Sequence, residues 1–185
     1  MNNVIIIAEA GVNHNGDYQR AVDMVYAAKE AGADYVKFQT AVPELVISSV
    51  APKAEYQKET TGNNESQLEM CRKIHLRLDD YLPLSQLCRE VGIGFMSTPF
   101  DLVSIDCLAS LGMDYWKIPS GEITNLPYLR KIASKGGKVI LSTGMSEMPE
   151  IEAAMAVLQS GGIPRKDISL LHCNTQYPTP MRDVN

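Results

Sequence analysis

Positive charge is in short supply in this sequence: 17 Lys and Arg stand against 22 Asp and Glu, a formal net charge of −5. A basic footprint of the kind that neutralises phosphate backbones is missing, which argues against a nucleic-acid partner. Long apolar runs are missing too. None approaches the ~18 residues of a membrane helix, so no membrane partner is expected. The opening Met1-Asn2-Asn3-Val4 lacks the basic stretch and cleavage site of a secretory signal. Cysteine is sparse: Cys71, Cys88, Cys107 and Cys173 form no CxxC pair and fall mostly within apolar helical patterns. Reduced core residues of a cytoplasmic protein are the expectation. No GxGxxG, no HxxxH and no GxSxG elbow is present, so the sequence offers no signature of dinucleotide binding, a histidine metal pair or a serine hydrolase.

What is there is a globular composition, 45% hydrophobic and 21% charged over 185 residues, enough for one domain with a core. Strand-like runs appear at Val4–Ala8, Tyr35–Gln39, Ile93–Ser97, Tyr115–Ile118, Lys138–Ser142 and Ile168–His172. Between them helical spacing predicts helices over Tyr18–Ala31, Leu78–Val91, Leu102–Leu111, Leu126–Lys135 and Met148–Ser160. Gly32, Gly92, Gly112, Gly136 and Gly161 follow these helices and are expected to adopt the left-handed conformation that stops them. Strands separated by helical crossovers make a parallel sheet. The strands recur at about the ~31-residue spacing of a (β/α)8 barrel. An α/β TIM barrel, incomplete here at about six βα units, is therefore expected; an open doubly wound sheet is the alternative. One segment breaks the rhythm. Thr40 to Gln67 holds Pro43, Pro52, Gly62, Asn63 and Asn64 and follows a strand's carboxyl end, so it is read as a lid.

The active face of a barrel is built where strands end, and here those positions are polar. Glu9 closes the first strand, Lys37 and Gln39 share one face of the second, and Ser97-Thr98 end the third. Lys117 precedes Ser120 and Glu122, and Ser142-Thr143-Gly144 closes the fifth. A bare ammonium is very costly to bury, so Lys37 and Lys117 must meet carboxylates or an anionic ligand. Hydroxyls and glycines beside them suit a phosphate. Lys37, Thr98, Lys117, Ser120 and Ser142 thus read as a cage for a small phosphorylated or multiply anionic substrate. The alternative is structural pairing of Lys37 and Lys117 with Glu9 and Glu122. His14 is read as a turn or helix-start residue and His75 as a surface residue; His172 could touch ligand or pack in the core. Glu147 and Glu150 suit a helix start. Trp116, opposite Lys117, is expected to wedge against helices.

These motifs resemble the sialic acid synthase family, phosphoenolpyruvate-dependent condensing enzymes that make nine-carbon 2-keto sugar acids. The resemblance runs through Ile7–Gly16, Val36–Thr40, Phe95–Phe100, Lys117–Glu122, Leu141–Met145 and His172–Pro180, in order along the chain. It implies a (β/α)8 barrel followed by an antifreeze-like domain. Residues 1–185 would then be the N-terminal part of the barrel, lacking its last units and the antifreeze-like domain. It implies that Lys37, Thr98, Lys117, Ser120 and Ser142 hold phosphoenolpyruvate. Gln39, Asn63 and Tyr177, with Glu9 and Glu122, would face an N-acylated mannosamine-type sugar. Asn174-Thr175 departs from the Thr-Asn order of neuraminate synthases and is closer to the legionaminate branch, which leaves a phosphoenolpyruvate contact there and the sugar's identity open.

The implied reaction is a condensation of phosphoenolpyruvate with the sugar's aldehyde, releasing phosphate, with Glu9 or Glu122 positioning the sugar or moving a proton. A divalent metal, Mn2+ or Mg2+, is implied as cofactor, with its histidine ligands expected beyond Asn185 and none in this chain. Weak or no synthase activity is therefore expected of the 185 residues alone, together with exposed strand edges, and a homodimer is implied for the full-length protein. Two other readings remain: a related synthase making a 2-keto-3-deoxy acid from a phosphorylated sugar, and a non-catalytic homologue in coat or polysaccharide assembly.

Overall fold

The computed structural model describes residues 4–52, 66–176 and 179–184. Asn63 and Tyr177, assigned above to the sugar, lie outside the described residues, as does much of the expected lid. The chain forms two compact units that divide between Leu111 and Gly112.

The first unit carries strands β1 (Ile7–Gly11), β2 (Tyr35–Thr40) and β3 (Gly94–Pro99), paired in parallel in the order β1-β2-β3. Its helices are α1 (Tyr18–Glu30), α2 (Pro43–Val46), α3 (Gln67–Ile74), α4 (Tyr81–Val91) and α5 (Leu102–Ala109). Helix α1 starts where the Asp17 side chain accepts from Arg20 N, and it buries Ala21, Val25 and Ala28, one face at helical spacing. Helix α4 buries Tyr81, Leu84 and Cys88 and stops at Gly92, whose φ of 76° is left-handed as expected. Register aligns Glu9 with Lys37, Lys37 with Met96, and Gln39 with Thr98. Neighbours in a parallel register share a face, so Glu9, Lys37, Gln39 and Thr98 lie on one side of the sheet. Phe38, Thr40, Ser97 and Phe95 take the other, where the rings of Phe38 and Phe95 stack at 6.1 Å.

The second unit repeats the plan with β4 (Tyr115–Ile118), β5 (Lys138–Ser142) and β6 (Ile168–Leu171), parallel in the order β4-β5-β6. Helices α6 (Leu126–Lys135) and α7 (Met148–Ser160) connect them. Glu147 and Glu150 form the capping box of α7, the structural role expected of them. Leu129, Ile132, Val139, Leu141 and Leu158 are essentially inaccessible to water, each burial contributing roughly 2 kcal/mol. Trp116 is buried as expected, with its Nε1 donating to Gly136 O at 2.9 Å.

Several boundaries differ from expectation. Strand β1 begins at Ile7 rather than Val4, and Val4, Ile5 and Ile6 are exposed. Asp34 brackets the start of the strand: its carboxylate accepts from Ile6 N at 2.7 Å, while Ile6 O accepts from Asp34 N at 2.9 Å and Tyr35 N at 3.1 Å. Pro43–Val46 forms a short turn of helix inside the segment read as a lid, and a helix not expected from the sequence, Gln67–Ile74, begins where that segment ends. Gly161 is not left-handed; that conformation falls to Gly162, with φ of 102°. Gly161 lacks a side chain for another reason: a Cβ there would sit 2.3 Å from the Ala133 methyl. Cys71 and Cys88 are buried and free, whereas Cys107 and Cys173 are free but only half-buried rather than core.

Candidate functional site

In the first unit the site grows from the carboxyl ends of β1 and β2. Lys37 is 9% exposed, and its ammonium is ion-paired with the Glu9 carboxylate, whose side chain stays 56% exposed. The structural pairing offered as an alternative thus exists for Lys37. The pair is not sealed from water, however, because its acidic half is open. Gly11, at φ of 55°, leaves the space above it to two side chains: a Cβ there would meet Glu9 Oε1 at 3.4 Å and Gln39 Nε2 at 3.8 Å. A carboxylate and a primary amide therefore meet over one glycine, and the Lys37 ammonium is paired with that carboxylate. Thr98, 3% exposed, stands next to Gln39 in the register on the same face.

The strand ends are braced from behind. Tyr81 donates to Gln39 O at 2.6 Å, and the hydroxyls of Thr40 and Ser97 share a hydrogen bond of 2.7 Å. Burial pushes the Tyr81 phenol up, keeping it a protonated donor. Asp101 ties the loops together, accepting from Val42 N at 2.8 Å and from Ser104 N at 2.7 Å.

In the second unit Lys117, also 9% exposed, donates to Ser142 Oγ at 2.7 Å and to Ile118 O at 2.9 Å. These contacts aim its ammonium along the carboxyl ends of β4 and β5. Ser120 opens a short 3-10 turn, Ser120–Glu122, directly after β4. Gly144 is buried in the loop after β5, where a Cβ would lie 3.0 Å from Thr175 Cγ2 and 3.3 Å from Ser120 Oγ. A glycine is what lets that loop lie against Ser120 and Thr175. Glu122 is half-buried, and its Oε2 accepts from Asn125 Nδ2 at 2.7 Å at the start of α6. Asn174 Oδ1 accepts from Gln176 N at 2.6 Å, so this departure from the neuraminate order shapes a turn.

The sequence-derived candidates thus form two groups: Glu9, Lys37, Gln39 and Thr98 in the first unit, Lys117, Ser120 and Ser142 with Glu122 nearby in the second. Of the histidines, His14 lies in the turn before α1 as expected, and His75 departs from its expectation. His14 is fully buried, its Nδ1 accepting from Gly16 N at 3.2 Å and its ring 6.0 Å from that of Phe38. Loss of solvent, with His75 and Arg20 nearby, lowers its pKa to about 4. His75 is half-buried rather than a surface residue, its Nδ1 meeting Cys71 O at 3.0 Å, and burial lowers its pKa as well. His172 is exposed and not a packed core histidine. Sequence reasoning passed over Tyr81, whose partner Gln39 is distant in the chain, and Asp101, although its place as the N-cap of α5 with Ser104 three residues on is a local signal.

Comparison with known proteins settles the family. The NeuB family profile matches residues 24–185. The chain belongs to the NeuB family. A Campylobacter jejuni N,N'-diacetyllegionaminic acid synthase is 52% identical over 185 residues, 100% of this chain and 55% of that protein. A Legionella pneumophila enzyme of the same name is 49% identical over 182 residues, 97% of this chain and 51% of that protein. The crystal structure of a Leptospira borgpetersenii sialic acid synthetase in complex with citrate superposes with a TM-score of 0.83 at 32% identity, covering 100% of this chain and 59% of that one. This NeuB-family chain therefore spans about half the length of the curated relatives it matches. Its α/β architecture of parallel sheets is the one this sialic acid synthetase shares.

Proposed function

We propose that this chain is the N-terminal part of a sialic-acid-type synthase, which condenses phosphoenolpyruvate with an N-acylated mannosamine-type sugar. The observation that carries the reading is that each unit presents a nine-tenths-buried lysine at a strand's carboxyl end, beside buried hydroxyls. Phosphoenolpyruvate carries a carboxylate and a phosphate, and a buried ammonium beside hydroxyls suits either anionic group. On this reading Lys37 with Thr98, and Lys117 with Ser120 and Ser142, all serve that substrate. Resemblance to diacetyllegionaminic acid and sialic acid synthases supports the same assignment.

In the reaction the phosphoenolpyruvate C3 forms a bond to the open-chain aldehyde carbon of the sugar, whose oxygen takes up a proton. Water adds at C2, and phosphate leaves with the C–O bond, giving a nine-carbon 2-keto acid. The lysines act electrostatically, holding the anionic groups in place as charge redistributes. Glu9, exposed beside Lys37 and near Gln39, is placed to orient the sugar or move a proton. Glu122 is the second candidate for that role, with Gln39, Asn63 and Tyr177 as further sugar contacts. For a divalent cation, Mn2+ or Mg2+, no group of three or more His, Cys, Asp or Glu converges among the described residues. Those residues do not fit a metal, and no step here passes through one.

A complete (β/α)8 barrel is part of the reading. Leu170 and Leu171 of the outer strand β6 are 45% and 40% exposed, apolar surface that further βα units would cover. A reducing, cytoplasmic setting suits the four free thiols. Calorimetric titration with phosphoenolpyruvate tests the function: saturable binding is expected. Absence of binding, or binding untouched by Lys37→Ala and Lys117→Ala, would favour the non-catalytic alternative.

A further inference from the structure

Tyr81 is fully buried, and its hydroxyl does not serve its own helix. It is the first residue of α4, and its N–H donates to Leu78 O, closing a 3-10 turn over Leu78–Asp80. From that fixed start the hydroxyl donates to Gln39 O at 2.6 Å, forty-two residues back in the chain. A core position that needed only apolar volume would be filled as well by phenylalanine. A buried phenol oxygen has to be given a partner. Here the partner is the carbonyl of the next-to-last residue of β2.

Three further contacts hold the same strand end. Thr40 Oγ1 and Ser97 Oγ share a hydrogen bond of 2.7 Å, Phe100 N donates to Thr40 O at 3.0 Å, and Val42 N donates to Asp101 Oδ2 at 2.8 Å. These tie β2 to β3 and to the loop after it; Tyr81 adds a helix to the set. Lys37, Gln39 and Thr98 stand on one face of the same two strands. Gln39 links the two sides. Tyr81 holds its carbonyl, and its side-chain amide shares the space over Gly11 with Glu9. Rotation of the peptide after Gln39 would carry that amide away from Glu9 and disturb Thr98, its partner in the register. The Glu9–Lys37 ion pair is open to water on its acidic side, so it holds the site less firmly than a buried contact does.

We propose that Tyr81 is a positioning residue of the first unit's site: its hydroxyl fixes the Gln39 carbonyl, and through it the placing of Lys37, Gln39 and Thr98 toward an anionic ligand. It acts through the main chain and touches no ligand itself. The identity of that ligand as phosphoenolpyruvate rests on the synthase reading; the brace does not. A strand end fixed in advance raises affinity because the ligand need not order it on arrival.

Phosphoenolpyruvate would be titrated by calorimetry in the cold, well below the melting temperature of each variant. Tyr81→Phe removes the donor, as does replacing Tyr81 by para-fluorophenylalanine, which also fills the place of the hydroxyl. Both should weaken binding about fivefold. Replacing Tyr81 by para-aminophenylalanine restores an N–H donor and should return affinity to within about twofold of wild type. Ser85→Ala removes another buried hydroxyl of α4, one that donates to Leu82 O, and should also stay within about twofold. A purely structural Tyr81 would lower the melting temperature in the first two variants yet leave the folded chain's affinity unchanged, and that result overturns the proposal. So does a failure of the para-amino replacement to recover binding. If wild type binds no phosphoenolpyruvate, the synthase reading fails instead, and NMR of the ligand-free chain decides the brace. The Gln39 side-chain amide resonances should move in Tyr81→Phe and return with the para-amino replacement; unmoved resonances overturn it.

Discussion

The two units solve the same problem, a lysine buried at a strand end, in different ways. In the first unit Lys37 is matched by a formal charge, Glu9, which keeps one side open to water. In the second, Lys117 is aimed by a serine hydroxyl and a main-chain carbonyl. A ligand anion arriving at Lys37 must share the ammonium with a carboxylate already there. At Lys117 the hydroxyl can turn and donate to the same anion the lysine attracts. On the synthase reading, the first arrangement would couple anion binding to an acid beside the sugar, and the second would place a hydroxyl beside the ammonium.

The largest effect expected is loss of phosphoenolpyruvate affinity in Lys37→Ala and Lys117→Ala. Truncating one buried partner of a charge-assisted contact costs about 4 kcal/mol, close to a thousandfold in Kd by calorimetry. The comparison sharpens with Glu9→Gln, which removes the competing carboxylate and should tighten phosphoenolpyruvate about fivefold by calorimetry. The contrast breaks if Lys37→Ala lowers the melting temperature and leaves binding intact. Lys37 would then be a structural partner of Glu9 and only the second unit an anion site.

Acid should act on the first unit more than on the second. His14 is lowered from 6.5 to about 4 in the folded chain, so between those values the unfolded chain binds a proton that the native one refuses. Stability contributed by neutral His14 is full above pH 6.5 and is lost as pH falls toward 4, by at most about 3 kcal/mol. His75 shifts in the same direction and adds to the slope. Protonation at Nδ1 would also expel the Gly16 N–H, loosening the loop after β1. Urea melts across this pH range should show the decline in wild type, with a shallower slope in His14→Asn. Equal slopes would mean that His14 titrates normally.

Glycine substitutions give a further contrast of about 2 kcal/mol or more against about 1 kcal/mol. Gly16→Ala combines a left-handed φ of 74° with the close approach of the Lys73 carbonyl. Gly112→Ala meets the same conformational strain at φ of 69° with nothing within 4 Å. Denaturant midpoints should therefore separate the two, and similar losses would mean that the α3 end yields to the new methyl.

Much of this was legible beforehand because parallel α/β folding leaves strong local marks. Helix periodicity and capping glycines located most elements, and strand alternation alone put Lys37 and Gln39 on one face. Glu9, Lys37 and Gln39 then had to converge once β1 and β2 were paired in that register. What escaped had its cause elsewhere in the chain. Val4-Ile5-Ile6 has the composition of a strand, yet β1 starts at Ile7, and the Ile6 N–H goes to the distant Asp34 carboxylate. The start of α3 did carry a local signal, the Ser66 and Glu69 capping box, which the surrounding Pro and Asn residues masked. His14 sits in a run of polar turn residues, and its burial comes from docking on Phe38, which no local pattern encodes. Asn63 and Tyr177 keep only the support of the family resemblance.

The smallest effect concerns the loops themselves, one in each unit. Asn15 after β1 and Met145 after β5 are non-glycine residues with positive φ, 52° and 63°. Asparagine visits that region readily, whereas a methionine there strains its Cβ against the carbonyl that follows. Met145 gains little in return from packing, since it is 76% exposed. The strain therefore has to be offset by what the loop achieves, and this loop sets Gly144 beside Ser120 and Thr175. Met145→Gly should stabilise the chain by about 0.5 kcal/mol, the left-handed strain relieved less the entropy glycine loses on folding. Asn15→Gly should be neutral. If the strained loop serves the anion site, Met145→Gly should also weaken phosphoenolpyruvate two- to threefold, on the order of 0.5 kcal/mol, as the loop samples other positions. A stabilised variant with unchanged affinity would show that the conformation is held for packing alone, and the second unit's site would reduce to Lys117, Ser120 and Ser142.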